Sequence, residues 1–374
     1  MSFRIVRGAS AMMASLLATS SLFAGAQTDP CCCVKPNGCK GVTLCHTQPD
    51  IDWNRFRVDV GFILEQARVT GSAYAYTATG NTSTGAGYNL LPQTTVSIQV
   101  PKFDLDWGVT VGLGYDFEHD NWYVAGHFDW LQTTGKDNTA NSYGSVVVPM
   151  NIWFKGLNGG SDLGAVTAAN TNFQINYYNV MFDLGRGTYL TDCLVINPHA
   201  GLKLSFIYDN VNSQYTGGSV AAGNAVNRSQ DTDFWGVGPS VGLDTAWSFT
   251  EGWSMFADTN VAILLSYANA KDQVVDTINS TQYATNASTG TIPTFSPTIR
   301  TIIGLSYDRK IYCDQQMISG RLGWDTSIFW NQFNHIDVVS GAGAVATNGF
   351  NSFFLREGET FGLTGLIFEL GWSF

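Results

Sequence analysis

From Phe103 to Phe117 the chain reads FDLDWGVTVGLGYDF, and every odd position is apolar. Phe103, Leu105, Trp107, Val109, Val111, Leu113, Tyr115 and Phe117 alternate with Asp104, Asp106, Gly108, Thr110, Gly112, Gly114 and Asp116. A helix would scatter the two sets around its circumference, whereas a strand sends them to opposite faces. The segment therefore predicts one long strand with an oily face and a wet face.

The same test picks out nine further strands. Arg55 to Glu65 aligns Phe56, Val58, Val60, Phe62 and Leu64; Trp122, Val124, Phe128 and Trp130 share a face. Others are centred on 173–184, 194–208, 235–247, 253–267, 299–307 and 318–330, and the last runs to Phe374. The segment 173–184 is the least regular, because its alternation slips near Tyr177 and Tyr178, which predicts a bulge. Four connections are short: 118–121, 187–193, 250–252 and 309–315. Five are long and rich in Gly, Asn, Ser and Thr: 68–102, 134–170, 209–232, 268–295 and 333–360. Short and long links alternate strictly, as they do in barrels with tight periplasmic turns and long outer loops.

Composition decides what the oily faces touch. Charged residues make up 13% of the chain, about half the usual share. Nine of the eleven Trp, all but Trp53 and Trp153, fall on the apolar faces, several near strand ends. Amphipathic rings collect at membrane–water boundaries. The reading is an all-β transmembrane antiparallel β-barrel of about ten strands, or twelve to sixteen if the loops hold further hairpins. A soluble sandwich also alternates, but strands this long with Trp at their ends do not suit one. A net charge of −11 leaves no basic surface for nucleic acid.

The ends fit this reading. Arg4 and Arg7, an apolar stretch from Ala9 to Phe23, and Ala24-Gly25-Ala26 form an export-signal pattern. Residues 1–26 are therefore expected to be a cleaved signal, 27–52 a Cys-rich periplasmic segment, and 53–374 the barrel. Losing the two arginines takes the net charge from −11 to −13. At the other end Leu366, Phe368, Leu370, Trp372 and Phe374 alternate up to a terminal aromatic. That pattern is expected to serve as an assembly signal for the barrel assembly machinery, and as the seam that closes the last strand on the first.

FDLDWGVTVGLGYDFEHDNW (103–122), YNVMFDLGRGTYL (178–190), NPHAGLKLSFIYD (197–209), FWGVGPSVGLDTAWSF (234–249) and FGLTGLIFELGWSF (361–374) resemble the Legionella-type and chlamydia-like major outer membrane protein family. The resemblance implies an abundant outer-membrane porin, envelope component and surface antigen, and disulfide cross-links that stiffen the envelope.

Candidate chemistry is sparse. Cys31, Cys32, Cys33, Cys39 and Cys45 cluster behind the signal, and Cys193 and Cys313 fall on short turns, so all seven thiols are expected on one side of the membrane. In an oxidising compartment an odd number leaves one free or linked to another molecule. Cys39, Cys45 and His46 lack the short knuckle of most zinc sites. Arg57, Glu65, Asp104, Asp106, Asp116, His127, Asp129, His199, Lys203, Asp258, Arg300, Arg321 and Asp325 are expected on the lumen face. They either set the selectivity of a pore or simply pair with one another. Gly108, Gly112, Gly114, Gly201 and Gly242 are expected to leave room in a lumen that ten strands make narrow. His127 and Asp129, two apart on one face, superficially suggest an acid–base pair, but no nucleophile or nucleotide motif accompanies them.

The expected function is passive diffusion of small hydrophilic solutes together with an envelope-structural role. The alternative is a surface adhesin or structural barrel without a useful pore. No catalytic residue, cofactor or metal is expected. The expected partners are outer-membrane lipid, the assembly machinery, small solutes, and disulfide-linked envelope proteins or further copies of the chain.

Overall fold

The computed structural model describes residues 56–79, 95–117, 121–142, 145–150, 165–218, 221–278, 281–311, 316–340 and 352–374. The expected signal, the Cys-rich segment and Trp53 lie outside them. Ten long strands form the wall: β1 (Phe56–Val69), β2 (Leu105–Asp116), β3 (Trp122–Ala140), β4 (Ala168–Arg186), β5 (Leu194–Gly217), β6 (Ala221–Thr250), β7 (Trp253–Ile278), β8 (Ile292–Ile311), β9 (Gln316–Ser340) and β10 (Ser352–Ser373). Each pairs antiparallel with its neighbours in sequence, β6 pairs β7, and β10 pairs β1, so the ring closes. At the seam Phe374 N donates to Phe56 O at 3.0 Å and Phe56 N to Phe374 O at 3.2 Å. Closure leaves no edge, the one way a sheet satisfies its backbone in lipid.

The oily belt is sharp. On β5 the outward residues run Leu202, Leu204, Phe206, Tyr208 and then turn polar at Asn210, Asn212 and Gln214. On β6 they run from Asp231 and Asp233 into Trp235, Val237, Val241 and Trp247. Rings mark both borders. Trp235 stacks on Tyr267 at 4.7 Å, and Trp107 meets Trp130 edge-on at 5.7 Å, at the long-strand border. Trp253 with Tyr307 at 5.1 Å and Trp372 with Phe374 at 4.8 Å mark the short-turn border. Two aromatic girdles around an apolar band are the signature of a membrane barrel.

The strands do not stop at the belt. β6 has 30 residues and β7 has 26, whereas roughly 9–11 suffice to cross the hydrocarbon. Most of the expected long loops are strand instead. β5 and β6 stay paired from Leu194↔Trp247 out to Gly217↔Ala221, and β3 and β4 out to Ala140↔Ala168. Thr281–Ser288 folds back on β7 as a further hairpin without entering the wall. Beyond the lipid the outer face meets water, so alternation fades although the pairing continues.

Two local expectations are corrected. β4 keeps one phase from end to end, with no register shift against β3 or β5. Its apparent slip arises because Phe173, Ile175 and Tyr177 point inward and are buried. The phase break lies in the segment that seemed most regular: Phe103 is buried inside, whereas Leu105 is exposed outside. A bulge does occur between β9 and β10, at Phe329–Phe333, where Asn331 takes φ +62°. Asparagine tolerates that left-handed conformation better than most residues.

A small sheet sits at the long-strand end. Ala75–Thr79 pairs with Thr95–Gln99 on one side and Ser145–Pro149 on the other. It packs through Tyr74, Ala75 and Val147 on the inward Ala169, Tyr215, Val226 and Val274 of β4 to β7. The Tyr215 phenol donates to Tyr74 O at 2.8 Å, and the Tyr74 phenol to Asp137 at 3.0 Å.

Candidate functional site

The lumen is layered. Next to the short turns lies a cavity of about 300 Å³ lined by Arg57, Asp59, Asp116, His127, His199, Asp244, Asp258, Arg321 and Glu369 among others. Its charges pair both along and across strands. Arg57 Nε donates to Asp59 at 2.9 Å, and Arg321 binds Glu369 at 3.3 Å and also Asp258, with its guanidinium 3.9 Å over the Phe256 ring. His199 lies between Asp183 at 3.3 Å and Asp244 at 3.4 Å.

The floor of this vestibule is an ionic bridge across the barrel. Arg300, on β8, donates from Nε and Nη2 to Asp325 of adjacent β9 at 2.9 and 2.6 Å. Its Nη1 reaches Asp129 at 2.7 Å, on β3, which stands five strands away on the opposite wall. Asp129 also accepts from Thr110 at 2.8 Å and Asn179 at 2.9 Å, and Ser205 donates on to Asn179. Glu65 lies against Asp325 in the same layer. Lys203 is fully buried beside it, its Nζ 4.9 Å from the centre of the Phe329 ring and without a hydrogen-bond partner.

Above the bridge the lumen is apolar. Leu131, Phe173, Ile175, Tyr177, Ile207, Phe234, Leu264, Phe329, Phe361 and Leu363 form one buried cluster drawn from seven walls of the ring. Tyr177 meets Phe329 at 5.7 Å, and Phe329 meets Phe361 at 6.0 Å. Higher still, Arg228 grips Asp272 through Nε at 3.0 Å and Nη2 at 2.7 Å, with Gln230 at 2.8 Å, and above that pair lies the small sheet. The lumen is thus filled along its upper length by side chains of the wall.

This order of layers, inside a closed ring with two aromatic girdles, is what the comparisons meet. The family model described as Legionella pneumophila major outer membrane protein precursor matches residues 52–374. The chain belongs to this family. It is an outer-membrane protein that crosses with the strands of a closed barrel. Among solved structures the outer membrane protease OmpT from Escherichia coli is similar at 8% identity and TM-score 0.38, covering 86% of this chain and 96% of that one. The CymD monoaromatic hydrocarbon channel is similar at 8% identity and TM-score 0.30, covering 86% and 89%. No curated protein matches.

In this family member most lumen residues read from alternation do face inward, and the fold gathers them into three sets. Arg57, Asp116, His127, His199, Asp258 and Arg321 line the vestibule, Asp129 and Arg300 its floor, and Glu65, Lys203 and Asp325 are buried at that level. Asp106 caps the Thr134 amide at 3.0 Å, apart from these. Asp104 is a correction: it is exposed at the phase break between Phe103 and Leu105 and lines no lumen. Of the five glycines, Gly114 alone leaves room for a side-chain carbon. A Cβ on Gly242 would meet the His199 ring, and one on Gly108 would meet Ile63. His127 and Asp129 make no acid–base pair, because Asp129 is committed to Arg300, Asn179 and Thr110.

Leu366, Phe368, Leu370, Trp372 and Phe374 all lie exposed on the outer face of β10. Cys193 is disulfide-bonded. Cys31, Cys32, Cys33, Cys39, Cys45 and Cys313 fall outside the described residues. Sequence reasoning missed the apolar layer; its one signal was the phase slip at Tyr177 and Tyr178, which was inward-pointing apolar residues rather than a bulge.

Proposed function

We propose that this protein is an outer-membrane barrel with a lumen closed at rest, serving the envelope as a wall and carrying a rigid strand shaft beyond the lipid surface. The observation that supports this best is the stack of Arg300 bridged to Asp129 beneath the buried Tyr177, Phe329 and Phe361 rings. Charges crossing the lumen, with an apolar layer on top, make it costly for a hydrated solute to pass. No reaction is proposed, since Asp129 is held by Arg300 and His199 lies between Asp183 and Asp244.

A second reading, a porin for small hydrophilic solutes that opens only on rearrangement, is favoured by the vestibule of about 300 Å³. The closing layer is made of wall side chains, so modest rotamer changes would widen it. Planar-bilayer recording separates the two. The closed-wall reading expects silence from the folded protein, and steps only after Phe329→Ala with Phe361→Ala. Frequent unitary steps from the unmodified protein would establish the porin and sink the closed wall. Leu131→Ala serves if the double variant does not fold.

The cysteines are proposed to tie the barrel to the envelope on the short-turn side. Electrophoresis of thiol-blocked envelopes, with and without reductant, tests this. A band that stays monomeric under both conditions would remove the intermolecular link.

A further inference from the structure

Above the oily belt the facing outer positions of β6 and β7 bring one pair of opposite charges together: Asp231 stands directly opposite Lys271. One place does the reverse. Lys102 stands directly opposite Lys136 of β3, and both are exposed, the Lys102 side chain to 82%. Arg68 is exposed on neighbouring β1, and the Gln66 amide two residues before it donates to Phe103 O at 2.5 Å, tying that strand to the Lys102 segment. Three exposed cations thus stand on neighbouring strands of a chain whose net charge is −11.

Like charges directly opposite each other are unfavourable unless something neutralises them. The one carboxylate within ion-pair distance among the described residues, Asp137, is 3.8 Å from Lys102 Nζ and already accepts the Tyr74 phenol, and Asp104, two residues along from Lys102, is exposed without an ion pair to it. Side chains at directly opposite positions start about 5 Å apart, so both ammonium groups can close on one phosphate. Height identifies its source. The patch lies above the Trp107–Trp130 pair that marks the girdle. Lys136 comes six residues after Trp130 on β3; at about 3.3 Å a residue and a tilt near 40°, that is some 15 Å above the rings. Acyl chains do not reach that level, whereas phosphorylated head sugars do.

We propose that Lys102 and Lys136, with Arg68, form a docking site for the phosphorylated head of the outer-leaflet glycolipid, seated on the β1–β3 side of the barrel. The proposal rests on the long-strand end facing outward. A nanodisc presents glycolipid on both leaflets, so the binding test below does not depend on that orientation.

The test uses the folded full chain in zwitterionic nanodiscs, titrated with lipopolysaccharide bearing its phosphates. The unmodified protein is expected to retain it, and Lys102→Gln with Lys136→Gln to bind it about tenfold or more weakly, given roughly 1 kcal/mol per cation near an anionic surface. Asp231→Asn with Lys271→Gln should bind as the unmodified protein does. Equal binding by the lysine variant, or equal binding of dephosphorylated glycolipid, overturns the site. Full competition by inorganic pyrophosphate at matched concentration reassigns it to free phosphate and overturns the glycolipid assignment. Lys136→Gln alone, on an exposed side chain, covers failure of the double variant to fold.

Discussion

The longest strands of the wall live in two solvents. Within the belt their outer face touches hydrocarbon, and Leu322, Trp324, Leu370 and Trp372 stand exposed on it. In the shaft above, β5 to β7 present Asn210, Asn212, Gln214, Asp231 and Lys271 outward, while the antiparallel pairing runs on. Both regions keep a buried arginine inside, Arg300 in the belt and Arg228 in the shaft. Backbone pairing is therefore common to both, and the outer side chains record only what surrounds it.

The largest expected effects come from those two arginines. Breaking a buried pair by removing one partner costs about 3–5 kcal/mol. Arg300→Ala leaves Asp129 and Asp325 without their bridge and should lower the unfolding free energy of the whole barrel by that amount. Arg228→Ala should instead loosen the shaft alone. Urea unfolding in vesicles combined with site-resolved hydrogen exchange checks this. If Arg228→Ala destabilises the belt as much as Arg300→Ala does, the two regions are one cooperative unit and the comparison fails.

Next come substitutions on the outer face. Leu322→Arg places a charge in the apolar band and should cost about 2–4 kcal/mol if that site lies near the midplane. Asn212→Arg, outward on the shaft, should change stability by no more than about 0.5 kcal/mol. Equal costs at the two sites would mean that the belt boundary is misplaced.

This asymmetry also explains how much was legible in the sequence. Period two reveals a strand only where one face meets oil and the other does not. The ten crossings, the outward Trp residues and the Phe374 seam were legible for that reason. Between 209 and 232 both faces carry polar residues, so strand looked like loop. Inside, Phe173, Ile175 and Tyr177 put apolar residues on the face expected to be wet, and the pattern blurred. The Arg300–Asp129 bridge was out of reach altogether: it joins opposite walls 171 residues apart, and alternation reports which face a residue takes, not what lies across the lumen.

A smaller effect should separate the cap from both regions. Tyr215→Phe removes the phenol that donates to Tyr74 O at 2.8 Å, a loss of about 1 kcal/mol. Faster exchange is expected in Ala75–Thr79 and its neighbours, with the belt unaffected. If exchange there does not change, the small sheet is held by its apolar contacts through Val147 and Val226 alone.

The smallest effect has the sharpest sign. Asp231 and Lys271 are opposite charges on facing positions of the shaft, so a double-mutant cycle with Asp231→Asn and Lys271→Gln should give a favourable coupling of about 0.2–1 kcal/mol. Salt should erase it, since both side chains meet water. The equivalent cycle at Lys102 and Lys136 should give the opposite sign without glycolipid, because each ammonium is relieved when the other is removed. Adding phosphorylated glycolipid should turn that unfavourable coupling favourable. A coupling at the lysine pair that is already favourable without lipid would mean that Asp137 neutralises both cations, leaving the wall no reason to recruit an anion.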